Sequence, residues 1–573
     1  MTLLADPQAP APRRAGPVRR LWDLPFRAHV AALAVVLLAL VPLVGTGSSF
    51  SADEGAAVVQ AKSLSRGDGW IVEHPFAEID ATGANYPLEN SERGDRGVAP
   101  YAKHPLYPLV LATAHRVGGV TGMVLLSLAG TLCAAALAAL IARRLDEALV
   151  RPTLWTVGLA SPLLFDGFLV IAHTAAAALA AGAMLLALRA ADRRSVASAL
   201  AVVPCVAAAV LLRTEAVFFA AGLASVAAAL ALASRRSRFA LFTVAGGTVL
   251  AALVTMALED HWTAHLVGAA PVTASLTTAS PLGGGPGSQV RAFVLTWLTT
   301  GYSDSGVVDV ALFVMAIGTV LAALAVRRRA EDRIVVGLSL VVAAAGAMAL
   351  AAGPVHLVPG LLIAFPVVGA GLALLNRRVL ATDTARLAFG TFVVFALAVA
   401  ATQYERGGSG EWGGRYFALG LPLVVPVVLL AIRDAGCRLA SRPRRVAGGA
   451  LVVCMAAMAA MGVATIREQH RRTGAMNGAI RAAIGSVPSE GLPVVVATDG
   501  ALARHAWPIM DDARLLLSGG DLDELAGRLD AAGVRQFVVV TSAARPLEIP
   551  GGRMQVVSRD DGALARVLVV RIP

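Results

Sequence analysis

Long apolar runs separated by short arginine-bearing segments set the pattern of this 573-residue chain. Stretches such as Val30 to Leu43, Phe239 to Leu258 and Ala385 to Thr402 approach or reach the roughly 18–20 residues that cross a hydrocarbon core, which predicts membrane helices. Thirteen spans follow, at about 27–45, 119–142, 152–167, 169–189, 196–212, 216–234, 239–258, 307–326, 334–352, 357–375, 385–402, 417–432 and 446–465. The third and fifth are short, so the expected fold is a mainly α, polytopic membrane bundle of about 11–13 helices. Only Phe165–Asp166–Gly167 divides the third from the fourth, as a tight outer hairpin or a re-entrant pair.

The arginines fall between these runs. With Arg13, Arg14, Arg19 and Arg20 holding residues 1–26 in the cytoplasm, the later groups each follow an even number of spans. These groups are Arg143–Arg144, Arg189 with Arg193–Arg194, Arg235–Arg238, Arg327–Arg333, Arg377–Arg378 and Arg433 to Arg445. The first apolar run lacks a small-residue cleavage site and reads as a retained helix. Residues 46–118, 259–306 and 403–416 then form hydrophilic outer segments of a membrane domain spanning 27–466. The Leu282–Ser288 stretch reads as a flexible glycine loop.

From 467 to 573 the pattern changes to short β-rich runs, Pro493–Ala497, Gln536–Thr541, Met554–Ser558 and Ala565–Ile572. A helix from Asp521 to Ala531 opens with the capping-box spacing of Asp521 and Glu524. The odd span count puts this small α/β domain outside. It carries no evident catalytic set and is expected to guide an acceptor or bind a cell-wall partner.

Composition narrows the class. A chain that is 57% hydrophobic and 15% charged, with mean hydropathy +0.70, is not a soluble globular domain. Its net charge of +11 is scattered between spans, so it is a topology signal and not a nucleic-acid footprint. Cys133, Cys205, Cys437 and Cys454 sit in or beside apolar helices and suggest neither disulfides nor a metal cluster. No P-loop, nucleotide-binding glycine motif or Ser-His-Asp arrangement is present, which argues against direct use of ATP or a nucleotide sugar. No cofactor is expected, and metal dependence stays open.

Four places can carry chemistry. Asp53 and Glu54 open the first outer segment at the start of a helical run, Glu54 to Ser65. They either complement the helix dipole or supply a general base at the bilayer surface. Farther along, Tyr101–Ala–Lys103–His104–Pro105–Leu–Tyr107–Pro108 leads into an apolar stretch, as an aromatic anchor or a phosphate contact. Lys103 is one of two lysines, with Lys62, against 47 arginines (49 minus 2), and a compact ammonium beside a phosphate is a reason to retain one. Arg213–Thr214–Glu215 places opposite charges in a nearly continuous apolar run, a structural ion pair or a functional one.

The fourth place is Tyr404–Glu405–Arg406 followed by Trp412–Gly413–Gly414–Arg415–Tyr416. There Arg415 presents a donor fork, and Trp412 and Tyr416 have the shape to stack on a sugar or sit at the headgroups. His173, His356 and the Glu259–Asp260–His261–Trp262 group are weaker candidates, and no pair among His74, His104 and His115 has metal-ligand spacing.

The acidic pair opening the first outer loop, the Lys103 to Pro108 stretch before the second span and the many short apolar helices resemble the GT-C superfamily of polyprenyl-phosphate-sugar-dependent glycosyltransferases. The likeness of layout covers about residues 25–465. It is nearest the branch holding protein O-mannosyltransferases, the lipid A aminoarabinose transferase and actinobacterial cell-wall arabinosyl- and mannosyltransferases. Trp412 to Tyr416 resembles the family's Trp-Gly-x-Arg-Tyr element, and Arg213–Thr214–Glu215 its Arg-x-Glu stretch, with Thr214 where a proline is frequent.

The resemblance implies an inverting transfer from a polyprenyl-phosphate sugar to a hydroxyl of an extracytoplasmic glycan, lipid or protein. It makes Asp53 the base and Glu54 the fallback. Arg415 is the first candidate for the lipid phosphate, with Lys103 and Arg213 behind it. His104, Tyr107, Glu215, Glu405, Trp412 and Tyr416 complete the expected substrate-binding set. The protein is then a multi-pass cell-membrane enzyme with lipid and not nucleic acid as partner. The alternative is a transporter or flippase of a lipid-linked saccharide, which calls for polar groups deep within spans or for paired halves, and neither is evident. One spatial requirement follows: Asp53 and Glu54 must share a single extracytoplasmic cavity with Arg415.

Overall fold

The computed structural model describes residues 22–573 except 81, 89–91, 95, 102–103, 234–236, 269–285, 300–301, 304, 352–354, 403–411, 489–490, 545–546, 548 and 550–553. Among the described residues, ten helices are long and apolar enough to cross a membrane. The chain runs through α1 (Phe26–Val44), α2 (Ala52–Arg66), α3 (Leu106–Leu145), α4 (His173–Arg193), α5 (Ala216–Ala233) and α6 (Arg238–Val267). It continues through α7 (Gly306–Arg327), α8 (Glu331–Ala351), α9 (Asp383–Thr402), α10 (Leu421–Gly436) and α11 (Ser441–Ser486). One large apolar core unites these helices, with α2 contributing Ala57, Val58 and Ala61.

Three of the thirteen expected spans are broken into shorter pieces. Residues 152–167 fall into Val150–Trp155, a π-helical turn Thr156–Ala160 and Leu163–Asp166. Residues 196–212 give Val196–Leu200 and Val202–Val210, and residues 357–375 give Leu361–Ala364 and Pro366–Leu374. Proline accounts for each break, because Pro162, Pro204 and Pro366 lack the N–H that an uninterrupted helix requires and crowd the preceding turn. The second span also begins earlier than expected. α3 starts at Leu106 and kinks at Gly118 and Gly119, so the end of the first outer segment is helical.

α11 is 46 residues long and runs without interruption past 467, carrying the chain into the C-terminal domain. There β1 (Val494–Ala497), α12 (Gly500–His505), β2 (Arg514–Leu517), α13 (Leu522–Ala531), β3 (Gln536–Ser542), β4 (Gln555–Asp561) and β5 (Ala565–Arg571) build a five-stranded sheet. Its order is β2-β1-β3-β5-β4, with β2, β1 and β3 parallel and β5 and β4 antiparallel. Both faces of the central strands are covered, so they read as unbroken valine runs. Val495, Ala497, Val538 and Val540 face Met476 and Ile480 of α11, while Val494, Val496, Phe537 and Val539 face Leu525 and Leu529 of α13.

The first outer segment is part of this domain's fabric. Phe76 enters the core beneath α13. The backbone N–H of Leu517 donates to the Asn85 carbonyl at 2.9 Å, and the Asn85 amide donates to the Leu517 carbonyl at 2.7 Å. Lys62 and Arg66 of α2 both pair with Asp511, at 2.5 and 3.0 Å. The Arg66 hydrogen bonds, then Lys62, hold that carboxyl down to about 2.

His505 closes the seam, with Nδ1 2.9 Å from the Ser49 hydroxyl and its carbonyl accepting from the Asn477 amide. Burial pushes this imidazole down to about 4, with Arg504 and His470 adding to the effect and Asp499 and Asp53 opposing it. In the unfolded chain an imidazole titrates near 6.5, so the unfolded form takes up the proton first. The contribution of His505 to docking is therefore complete above about pH 6.5 and is lost as pH falls from there towards 4. Protease protection of the seam is expected to fall across that window, and His505→Gln is expected to flatten the dependence.

Candidate active site

Asp53 and Glu54 are neighbours on the first turn of α2 and have opposite surroundings. Glu54 Oε1 accepts from the backbone N–H groups of Phe50 and Ser51, each at 2.8 Å, and Oε2 accepts from Val170 N–H, also at 2.8 Å. At 2% exposure it ties the start of α2 to the segment before α4. Glu54 is thereby removed as the fallback base, since its lone pairs are committed to backbone donors. The Asp53 side chain is 44% exposed.

Arg415 Nη1 donates to Asp53 Oδ2 at 2.8 Å, across 362 residues of sequence. Gly413 and Gly414 make this possible, with φ of +73° and +69°. A Cβ at these positions would lie 2.3 Å from Pro162 Cγ and 2.7 Å from the Thr296 carbonyl. The turn presses against both neighbours and delivers Arg415 over the ring of Tyr416, 5.2 Å from its centroid.

Behind Arg415 lies a second charged pair. Arg213 donates to Glu215 through Nε at 2.9 Å and Nη2 at 2.5 Å, in a bidentate arrangement. Burial opposes the charge on both groups, and their mutual attraction outweighs it: Glu215 is held below, and Arg213 above, its ordinary value. Tyr101 faces Arg213, Asp53 and Arg415, and its phenol is raised by burial first, with Arg213 opposing.

His104 and Tyr107, each 2% exposed, support Tyr101 from within. Their rings lie 6.2 and 5.9 Å from its ring, and His104 Nδ1 is 3.0 Å from Glu259. His173, 1% exposed at the start of α4, has neither ring nitrogen hydrogen-bonded among the described residues, and Arg213, Arg415 and His104 are the charged groups facing it.

The structure thus brings Asp53, Arg415, Tyr416, Arg213 and Glu215 together, with His104 and Tyr107 behind them. Lys103 and Glu405 lie outside the described residues. Trp412 is a correction. It is 3% exposed and stacked on Phe165 at 5.7 Å, so it is a core ring and not a sugar platform. Phe50 meets the same Phe165 ring edge-on at 4.8 Å, and the resulting aromatic cluster links the turn before Asp53 to the turn before Arg415. Among the described residues no three His, Cys, Asp or Glu side chains gather as a metal-ligand set.

One residue at the site had no signal in the sequence reading. Arg504, on α12 of the C-terminal domain, places Nη1 3.4 Å from Asp53 Oδ1 and holds the Gly500 carbonyl through Nε at 3.1 Å.

No family model and no curated protein matches the sequence. Solved structures do. The aminoarabinose transferase ArnT from Cupriavidus metallidurans, in the apo state, is 13% identical with a TM-score of 0.51, over 96% of this chain and 98% of that one. The oligosaccharyltransferase AglB from Archaeoglobus fulgidus, in complex with an inhibitory peptide and a dolichol-phosphate, is 12% identical with a TM-score of 0.51, over 92% of this chain and 70% of that one. At these identities the likeness is one of fold. With ten helices long and apolar enough to cross a membrane among the described residues, and a likeness that runs over nearly the whole chain, this is a multi-pass membrane protein that shares the fold of ArnT and AglB.

Proposed function

We propose that this protein is a membrane glycosyltransferase that moves a sugar from a polyprenyl-phosphate donor to a hydroxyl acceptor at the extracytoplasmic surface, with inversion. The observation that carries the reading is the 2.8 Å contact between Asp53 and Arg415, which joins the base candidate of the first outer segment to the cation before α10. Asp53 takes the proton of the acceptor hydroxyl as its oxygen attacks the anomeric carbon. The bond from that carbon to the phosphate oxygen breaks, and polyprenyl phosphate leaves with the electron pair. Charge grows on the phosphate, and Arg415, with Arg213 behind it, is the fixed positive charge that stabilises it. Tyr101 bridges the two ends of the site.

Two further observations support a lipid-borne donor. AglB, which shares the fold, was solved with a dolichol-phosphate. In this chain an apolar groove of about 920 Å³ opens between α1, α8 and α11, lined by Leu40, Leu164, Met348 and Met461, with Arg467, Glu468 and Arg471 at one end. Such a lining suits a polyisoprenoid tail, and Leu164 connects it to the aromatic cluster at Phe165.

The test is direct. Purified full-length protein is incubated with a panel of radiolabelled polyprenyl-phosphate sugars and mixed acceptors, and both transferred label and released polyprenyl phosphate are measured. At least one donor is expected to give equimolar transfer and release, with the opposite anomeric configuration in the product. Movement of labelled lipid across vesicles without any cleavage of the sugar–phosphate bond would replace this reading with that of a flippase.

A further inference from the structure

We propose that Arg504 is the standing partner of the Asp53 carboxylate, so that the C-terminal domain completes the active site and does more than guide an acceptor. This rests on the reading of Asp53 as the base. A carboxylate held by one guanidinium faces a conflict in that reaction, because the same reading assigns Arg415 to the leaving phosphate. Each donor that Arg415 turns towards a phosphate oxygen is drawn away from Asp53 Oδ2. Arg504 addresses the other oxygen, Oδ1, from the C-terminal domain. It keeps Asp53 ionised and aimed while Arg415 is engaged elsewhere.

Three features make Arg504 a built partner. Its guanidinium is anchored by the Gly500 carbonyl, and its side chain is only 10% exposed. α12 starts from Asp499, whose carboxylate accepts from the N–H groups of Ala501 and Leu502, which fixes the turn that carries it. The approach of α12 to α2 also depends on Gly55, two residues after Asp53. A Cβ there would lie 2.0 Å from the Arg504 carbonyl oxygen, so a larger residue would force the two helices apart. Ser49, paired with His505, secures the other side of the same contact.

Among the described residues, the charged and titratable groups facing Asp53 include Arg415, Arg504, Tyr101 and His505. Arg504 is a positioning residue: it acts through Asp53 and touches no reacting atom.

The experiment compares Arg504→Gln and Arg504→Lys with the parent full-length protein, reading kcat, donor KM and the pH dependence of transfer. Arg504→Gln is expected to lower kcat roughly 30-fold, leave donor KM within about threefold, and move the acid limb of the rate profile upward by about one pH unit. Arg504→Lys keeps the charge and is expected to leave the acid limb in place, with a rate within about fivefold of the parent.

An Arg504→Gln protein with the parent's rate and profile overturns the proposal. So does an equal loss in both variants with neither profile moved, which marks a structural contact. Should the glutamine variant fail to fold, the lysine variant decides: an unmoved acid limb with a rate within about fivefold supports the role, and a rate below about 1% with the fold intact overturns it. Asp53→Asn, run alongside, separates this from failure of the underlying reading, since full activity in that variant removes the base itself.

Discussion

Asp53→Asn is expected to reduce sugar transfer by a factor on the order of 10³ while leaving thermal stability nearly unchanged. The amide keeps the shape of the carboxylate but cannot accept a proton, and the side chain is 44% exposed, so little packing is lost. Arg415 and Arg504 would then face a neutral group, and donor binding is expected to persist because the cations remain. Asp53→Glu retains the charge but moves it by about one methylene, a displacement that costs roughly 10²-fold where geometry matters.

The neighbouring carboxylate gives the opposite signature. Glu54→Gln leaves one acceptor oxygen for three backbone N–H donors, and stability is expected to fall by about 1–3 kcal/mol. The folded fraction of that variant should turn over normally. If Asp53→Asn instead transfers sugar at the parent rate, or loses stability as Glu54→Gln does, Asp53 is not the base.

That these two adjacent residues diverge marks the limit of what sequence could tell. The acidic pair at a helix start was legible, and α2 runs close to the expected Glu54 to Ser65. Two of Glu54's donors, the Phe50 and Ser51 N–H groups, are local, and the third, the Val170 N–H, is one that only the folded chain brings near. The same holds for Trp412, whose ring turns into the core because Phe165 waits there to stack on it.

The membrane helices were legible wherever a long apolar run had no internal break. The three misread spans contained Pro162, Pro204 and Pro366 in plain view, and hydropathy outweighed them. β2 escaped because Arg-Leu-Leu-Leu lacks the β-branched valines that mark β1 and β3. Arg504 could not have been picked from 47 arginines, because its place is set by close contact with a glycine 449 positions earlier (504 minus 55).

Replacement of Arg415 separates its two duties. Arg415→Gln is expected to lower kcat/KM for donor by about 10²–10³-fold, because it removes fixed positive charge from where the leaving phosphate develops its own. Arg415→Lys keeps a charge but loses the donor fork that can span Asp53 and a phosphate oxygen together, so a loss of roughly 10-fold to 10²-fold is expected, with donor KM raised. The Gly413–Gly414 turn that places Arg415 is untouched by either change; the glutamine variant loses the Asp53 ion pair and the cation over the Tyr416 ring, the latter worth about 0.5–1 kcal/mol.

If Arg415 served Asp53 alone, its loss would resemble that of Arg504: a shifted acid limb and an unchanged donor KM. If it serves the phosphate, inhibition by free polyprenyl phosphate should weaken in parallel with the rise in donor KM. An Arg415→Gln enzyme that is inhibited by polyprenyl phosphate as tightly as the parent would assign the phosphate to another cation. Arg213 is already paired bidentate to Glu215 within the same site, and would be the next to replace.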